Sequence, residues 1–292
     1  MNNQILEMNE IVPNIYSMKV HAPRIARKAK PGQFVIVMAH GDGERIPFTI
    51  SDWDAKEGWV RLNFLEAGMS TCQLASLKAG DTLFSLSGPL GKAATMVENK
   101  RVLVGGGCYG IGAIYPIARE LKRLGCHVTT VVEGRTGYLM YMTELLKSVS
   151  DAFHMVTVDD PTGSEAKVKD TIKTLLDSGE VFDQAHFIGC SYMMMKCSQA
   201  TKAHKLKTYV SLDSLMLDGT GMCGCCRVTV DGKTKFACIQ GPEFDGHLVD
   251  WEEFVLKKGY YFEEEVKVYH RHACGGKGKD GCECENGKGG GE

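Results

Sequence analysis

Three cysteines within four residues, set among glycines, constrain this chain more than any other feature. The run Asp218 to Arg227 carries Cys223, Cys225 and Cys226, and Cys238 follows after eleven intervening residues. A buried core does not select neighbouring thiols beside glycines. Thiolates separated by two residues can reach one metal centre, and the backbone N–H groups of such a loop can bond to sulfur. The spacing therefore predicts an iron–sulfur or a zinc centre. A structural zinc site wants a second close ligand pair, and here only Cys238 stands at a suitable distance. A [2Fe–2S] centre needs four ligands, two on each iron. Cys223, Cys226 and Cys238 supply three. The fourth is Cys225 or Asp218, and adjacent residues such as Cys225 and Cys226 point apart. Asp218 occupies the place of the first cysteine in a C-x4-C-x2-C-x11-C pattern, and we take it as the expected ligand. The competing reading makes Asp218 an Asx-turn residue before Gly219.

Composition narrows the setting. At 292 residues the chain can hold two or three domains, each with its own core. A formal charge of −2 gives no basic excess for nucleic acid, and no apolar run approaches the roughly 20 residues of a membrane helix. The N-terminal residues Met1 to Glu7 lack the basic-then-apolar pattern of a signal peptide. The twelve cysteines are therefore expected as free thiols and metal ligands in a reducing cytoplasm. Cys72, Cys126 and Cys197 are expected as small buried hydrophobes.

Up to about residue 98 the chain reads as short β-strands, such as 33–38 and 59–64, punctuated by Pro31–Gly32 and Gly80–Asp81. Close spacing predicts a small β-barrel. From Lys100 the rhythm changes. The strand Arg101 to Val104 runs into a glycine turn, a helix over 111–124 and a second strand over 127–132, which is a β-α-β unit. A second unit is expected, with a helix over 166–176 and a strand over 184–188. The predicted organisation is a barrel over 1–98, an open parallel α/β sheet over 99–210, and a cysteine module over 211–270 with a helix at 248–257. A Gly/Lys/Cys-rich tail over 271–292 is expected to be disordered.

Two segments upstream carry binding chemistry. Arg45 to Ser51 sets a cation, an aromatic and two hydroxyls along one extended stretch, so Arg45 and Thr49 share a face. Arg45 could pair with a pyrophosphate, Thr49 could reach an isoalloxazine edge, and Phe48 would be free to pack on a ring. Gly68, Met69, Ser70 and Thr71 offer donors ahead of a short helix, which suits phosphate. The turn Gly105 to Gly112 lets a dinucleotide approach a helix N-terminus. Glu133 ends the next strand, where an acid accepts from a ribose hydroxyl and favours NAD over NADP; Arg135 leaves that choice open.

With barrel, glycine turn and cysteine loop in this order, the chain resembles the ferredoxin–NADP reductase-like flavoproteins that carry a C-terminal [2Fe–2S] module. Within them it is similar to electron-transfer subunits of dihydroorotate dehydrogenase. It resembles more closely the small subunits of NADH-dependent ferredoxin:NADP oxidoreductases, also called sulfide dehydrogenase subunits. The likeness covers about residues 5–262 and is carried by Glu44 to Ile50, Gly88 to Gly91, Asp218 to Arg227, Phe236 to Cys238 and Gly241 to His247. Asp218 in place of a first cysteine favours the bifurcating type.

The resemblance implies FAD at Arg45, Pro47, Phe48, Thr49 and the Gly68 to Thr71 turn, with Ser51 on the same stretch. It implies NAD(H) at Gly106, Gly107 and Gly110, and near Gly189. It further implies a larger iron–sulfur flavoprotein partner, through which ferredoxin and NADP(H) would react. Hydride would pass between NAD(H) and FAD, and single electrons through the [2Fe–2S] cluster to that partner. Where relatives show Gly-Pro this chain has Gly189–Cys190, so Cys190 packs beside the nicotinamide or is a buried inert thiol. Cys274, Cys282 and Cys284, with His270 and His272, have no counterpart in the resemblance. A different class of reading, a zinc-binding interaction module on a barrel scaffold, is also compatible with the cysteine spacing alone.

Overall fold

The computed structural model describes residues 3–157, 167–261 and 263–267. The tail cysteines and histidines singled out above lie outside them.

The first layer is the expected barrel. Its elements are β1 (Ile5–Val12), β2 (Ile15–His21), α1 (Pro23–Ala26), β3 (Phe34–Met38), β4 (Ile46–Asp54), β5 (Trp59–Leu65), α2 (Met69–Ala75) and β6 (Ser85–Leu90). The strands pair antiparallel in the order β1-β2-β5-β4-β3-β6. Backbone bonds from Ile5 N–H to Asp81 O (2.8 Å) and from Leu83 N–H to Asn3 O (3.0 Å) bring the start of β1 against the approach to β6. Side-chain alternation explains the curl. Val60, Leu62 and Phe64 of β5 are buried inside with Met18, Val20 and Ile50, while Arg61 between them points outward.

The second layer contains β7 (Arg101–Gly107), α3 (Gly110–Arg123), β8 (His127–Gly134), α4 (Thr143–Ser148), β9 (Ala152–Thr157), α5 (Val168–Asp177), β10 (Gln184–Ile188), α6 (Ser191–Lys202) and β11 (Lys207–Ser211). After it come a hairpin of β12 (Arg227–Val230) and β13 (Lys233–Phe236), then α7 (Ala237–Gln240), β14 (Glu243–Asp245) and α8 (Trp251–Lys258). The larger sheet runs β14-β11-β10-β7-β8-β9, parallel except for β14. The unbroken apolar run Val102 to Val104 fits its central place, because a parallel sheet is covered on both faces. Since β7 has β8 on one side and β10 on the other, the winding reverses there. The switch point lies at the carboxyl ends of β7 and β10, where such sheets carry a crevice.

Two elements differ in extent from the sequence reading. The last helix starts at Trp251 rather than Leu248 because Asp250 caps it, accepting from Glu253 N–H at 3.0 Å. The cysteine segment also contributes β14 to the larger sheet, so its residues do not close a core of their own. A single buried cluster joins Phe34 and Ile36 of the barrel, Leu103 and Phe187 of the sheet, and Cys226, Val228, Cys238 and Phe244.

A polar tie crosses the same junction. Buried His186 on β10 lies 2.9 Å from a Glu243 oxygen on β14, and the other oxygen accepts from Thr95 N–H at 2.7 Å. Burial pushes the Glu243 carboxyl upward, but the bonds from His186 and Thr95 outweigh it and hold it below its usual value. A depressed carboxylate contributes stability that is present above its unfolded value and lost as pH falls through its folded value. Denaturant unfolding is expected to show stability declining as pH drops below about 4.3. Glu243→Gln should flatten that decline.

Candidate functional site

The cysteine loop is wound by its own backbone. Asp218 accepts from the N–H groups of Thr220 (2.9 Å), Met222 (2.9 Å) and Cys223 (2.8 Å). These bonds, Thr220 foremost, hold its carboxyl down to about 2. Gly219 needs its identity twice over. Its φ is +73°, and a Cβ there would lie 2.6 Å from Leu90. The loop is thereby pressed against the end of β6. Cys223 and Cys225 are exposed, whereas Cys226 and Cys238 are buried with their sulfurs 3.2 Å apart. Burial and the neighbouring Cys226 push the Cys238 thiol up to about 12. The N–H of Cys225 foremost holds the Cys223 thiol below its usual range.

That donor set suits a two-iron centre. It offers one exposed thiol of lowered pKa, one buried thiol pair and a carboxylate kept ionised at the head of the loop. A mononuclear structural zinc site needs more than a pair on one ion. Among the described residues no three His, Cys, Asp or Glu side chains are grouped to hold a metal ion of any kind. Asp218 performs the local turn role weighed above, and it does so at the head of the loop that carries Cys223.

The flavin segment meets this loop. Arg45 Nε donates to Leu217 O at 2.6 Å, one residue before Asp218. Glu44 beside it bonds Ser70 at the start of α2. Thr71 Oγ1 accepts from the N–H groups of Ala67 (2.9 Å) and Gly68 (3.0 Å), shaping the turn before α2. Ser51 is buried and accepts from Asn63 N–H at 3.3 Å. Pro47 and Thr49 lie half-buried on β4. The half-buried ring of Phe48 packs on Phe64 at 5.4 Å between ring centres, on the phase of β4 that faces the barrel interior.

The glycine turn joins the carboxyl end of β7 to α3. Gly106 and Gly107 end β7, and the turn is pinned from behind by Tyr141, whose hydroxyl accepts from Gly112 N–H at 3.0 Å. Gly110 packs against the end of β10, and a Cβ there would stand 2.1 Å from Ile188 O. Across the crevice, Gly189 is followed by Cys190, which caps α6 and is exposed, so it is not a buried thiol. Glu133 accepts from Val168 N–H at 2.7 Å, tying the end of β8 to the start of α5. A pocket of about 100 Å³ opens beside it, lined in part by Lys167, Lys169, Cys190, Tyr192 and Lys196. Arg135 is exposed two residues beyond.

The sequence reading passed over Tyr109, Asp213, Lys258 and Tyr141. Their partners lie far along the chain, so no local spacing announces them. Of the thiols expected to be inert, Cys126 and Cys197 are buried and Cys72 is half-buried. No helix among the described residues is long and apolar enough to cross a membrane.

Residues 213–250 match the iron–sulfur cluster binding domain of dihydroorotate dehydrogenase B. A Thermotoga maritima protein, described as a homologue of the electron transfer subunit of dihydroorotate dehydrogenase B (NAD(+)), is 38% identical over 92% of this chain and 95% of its own. The electron transfer subunit itself from Desulforamulus reducens is 28% identical over 85% of this chain and 97% of its own. A chain from the structure of an NADH-dependent reduced ferredoxin–NADP oxidoreductase, described for flavin-based electron bifurcation, superposes with a TM-score of 0.87. It is 37% identical and covers 94% of this chain and 98% of its own. Phthalate dioxygenase reductase, at 13% identity and a TM-score of 0.58, shares the fold.

The Gly110 contact yields a direct test of the crevice. Gly110→Ala forces the turn away from β10, and overpacking of this kind costs about 1–3 kcal/mol. Urea unfolding should record a loss in that range, with the slope unchanged.

Proposed function

The chain belongs to the family of dihydroorotate dehydrogenase B electron-transfer subunits and their homologues, and from that premise we infer that it is an NAD(H)-dependent iron–sulfur flavoprotein subunit of an electron-bifurcating oxidoreductase. The observation that carries the reading is the meeting of Arg45 with Leu217, which joins the segment read as flavin-binding to the residue before the cysteine loop. This contact joins two of the three assigned cofactor regions, from segments far apart in sequence.

FAD supplies conversion between a hydride pair and single electrons. For this chain we assign FAD to Arg45, Pro47, Phe48, Thr49, Ser51 and the Gly68, Ser70 and Thr71 turn. Arg45 has its terminal guanidinium nitrogens without a hydrogen bond among the described residues, which suits a pyrophosphate. The aromatic ring of Phe48 supports the barrel wall under that face. NAD(H) is assigned to Gly106, Gly107 and Gly110, with Gly189 and Cys190 across the crevice and Glu133 and Arg135 at its far side. Glu133 shapes this region by holding α5, and the lysines beside it supply positive charge for phosphate. Asp218, Cys223, Cys226 and Cys238 are the assigned ligands of a [2Fe–2S] cluster. These residues bind and orient; hydride transfer itself calls for no acid–base pair.

A larger partner subunit follows from the family, whose members are named as electron transfer subunits. Ferredoxin and NADP(H) would react on that partner. The 0.87 superposition favours the bifurcating assignment. The 213–250 match keeps a second reading, a dihydroorotate dehydrogenase electron-transfer subunit, whose partner would bind orotate.

Metal, sulfide and flavin content of the anaerobically purified protein, with EPR after dithionite, tests the assignment. About two iron and two sulfide per FAD are expected. Asp218→Cys and Asp218→Ala should each alter the EPR signal. Zinc without flavin would overturn the oxidoreductase reading, and unaltered spectra in both variants would remove Asp218 from the ligand set.

A further inference from the structure

Asp213 stands where three otherwise separate segments converge. Its Oδ2 accepts from the Tyr109 hydroxyl at 2.9 Å and from Lys258 Nζ at 2.9 Å, and its Oδ1 lies 3.4 Å from Ser191 Oγ. Lys258 also donates to the Asp213 carbonyl at 2.8 Å. The Tyr109 oxygen is also 3.1 Å from Gly189 O, so its one proton is shared between Asp213 and the opposite lip of the crevice. Tyr109 belongs to the glycine turn after β7, Gly189 to the turn after β10, and Ser191 to the start of α6 that follows it. Lys258 ends α8, the helix of the cysteine module. Asp213 itself is held by the backbone, since Leu212 N–H bonds Pro242 O at 2.9 Å.

We propose that Asp213 is a positioning residue that sets the separation of the Tyr109 and Gly189–Ser191 turns, and so orders the nicotinamide half of a bound dinucleotide. This deepens the NAD(H) assignment above and rests on it. The choice of half follows from direction. Four residues after Asp213, Leu217 receives Arg45 of the flavin segment, so the Asp213 end of the crevice faces the flavin side. The lysine-lined pocket runs from Cys190 and Tyr192 to Glu133, Lys167 and Lys169 beside α5, and we assign the adenosine part to its Glu133 side. Burial and the Asp213 carboxylate both keep the Tyr109 phenol protonated, so it stays a donor in the clamp. Lys258 balances the carboxylate's charge and links the crevice to the end of the cysteine module. A hydrogen bond to a charged group contributes enough to move an affinity by about tenfold when removed.

The test uses the FAD- and cluster-loaded protein and two probes that transfer no hydride: tetrahydro-NAD, which keeps the nicotinamide-like ring, and ADP-ribose, which lacks it. Asp213→Asn and Tyr109→Phe are expected to weaken tetrahydro-NAD about tenfold and to leave ADP-ribose affinity, FAD content and the cluster's EPR signal as in the wild type. Lys258→Met, which spares the crevice itself, should weaken tetrahydro-NAD in the same direction. Equal loss of both probes would mean general damage and overturn the clamp, as would unchanged binding of both. Wild-type protein that binds neither probe would overturn the NAD(H) assignment together with the clamp.

Discussion

A shared apolar seam holds the other features of this molecule in register. Phe34 and Ile36 leave the barrel to join Leu103 and Phe187 of the sheet and Cys226 and Cys238 of the cysteine loop in one buried cluster. Close-packed interiors transmit small displacements instead of absorbing them. The barrel face, the nucleotide crevice and the cysteine loop therefore hold fixed positions relative to one another. Gly219, pressed on Leu90 and Ile36, shows how tight that junction is, for no side chain fits there.

Polar contacts then refine what the seam sets coarsely. Arg45 reaching Leu217 and Asp213 gathering Tyr109, Ser191 and Lys258 each join segments more than twenty residues apart. His186 and Glu243 do the same between β10 and β14 inside the sheet. Cofactor chemistry asks the protein for placement and electrostatics more than for reactive side chains. These contacts answer that demand, and several of them lie away from the motif residues themselves.

Much of the architecture was legible because its signals are local. Alternation in β5, the apolar run of β7, the glycine turn and the cysteine spacing each follow from residues that neighbour one another. The strand 184–188 and the helix after the glycine turn are found within a residue of their expected positions. Other features needed contacts that no window of sequence holds. Phe48 turned inward because the phase of β4 in the barrel decides its face. Glu133, placed correctly at a strand end, is drawn to Val168 N–H by a helix start thirty-five residues on. β14 is only three residues long, and its pairing with β11 is what makes it a strand.

Residue order and type were enough to specify a barrel, a wound sheet and a thiol-rich loop, since periodicity, glycine freedom and thiol spacing act over a few residues. Tertiary structure alone decided that the loop shares its core with both larger layers, and that Arg45 meets Leu217. It alone brought Asp213 between the two lips of the crevice. The physical reason is that hydrogen bonds and close packing depend on distance in space, and these partners become neighbours only once the sheet order and the barrel closure have brought them together.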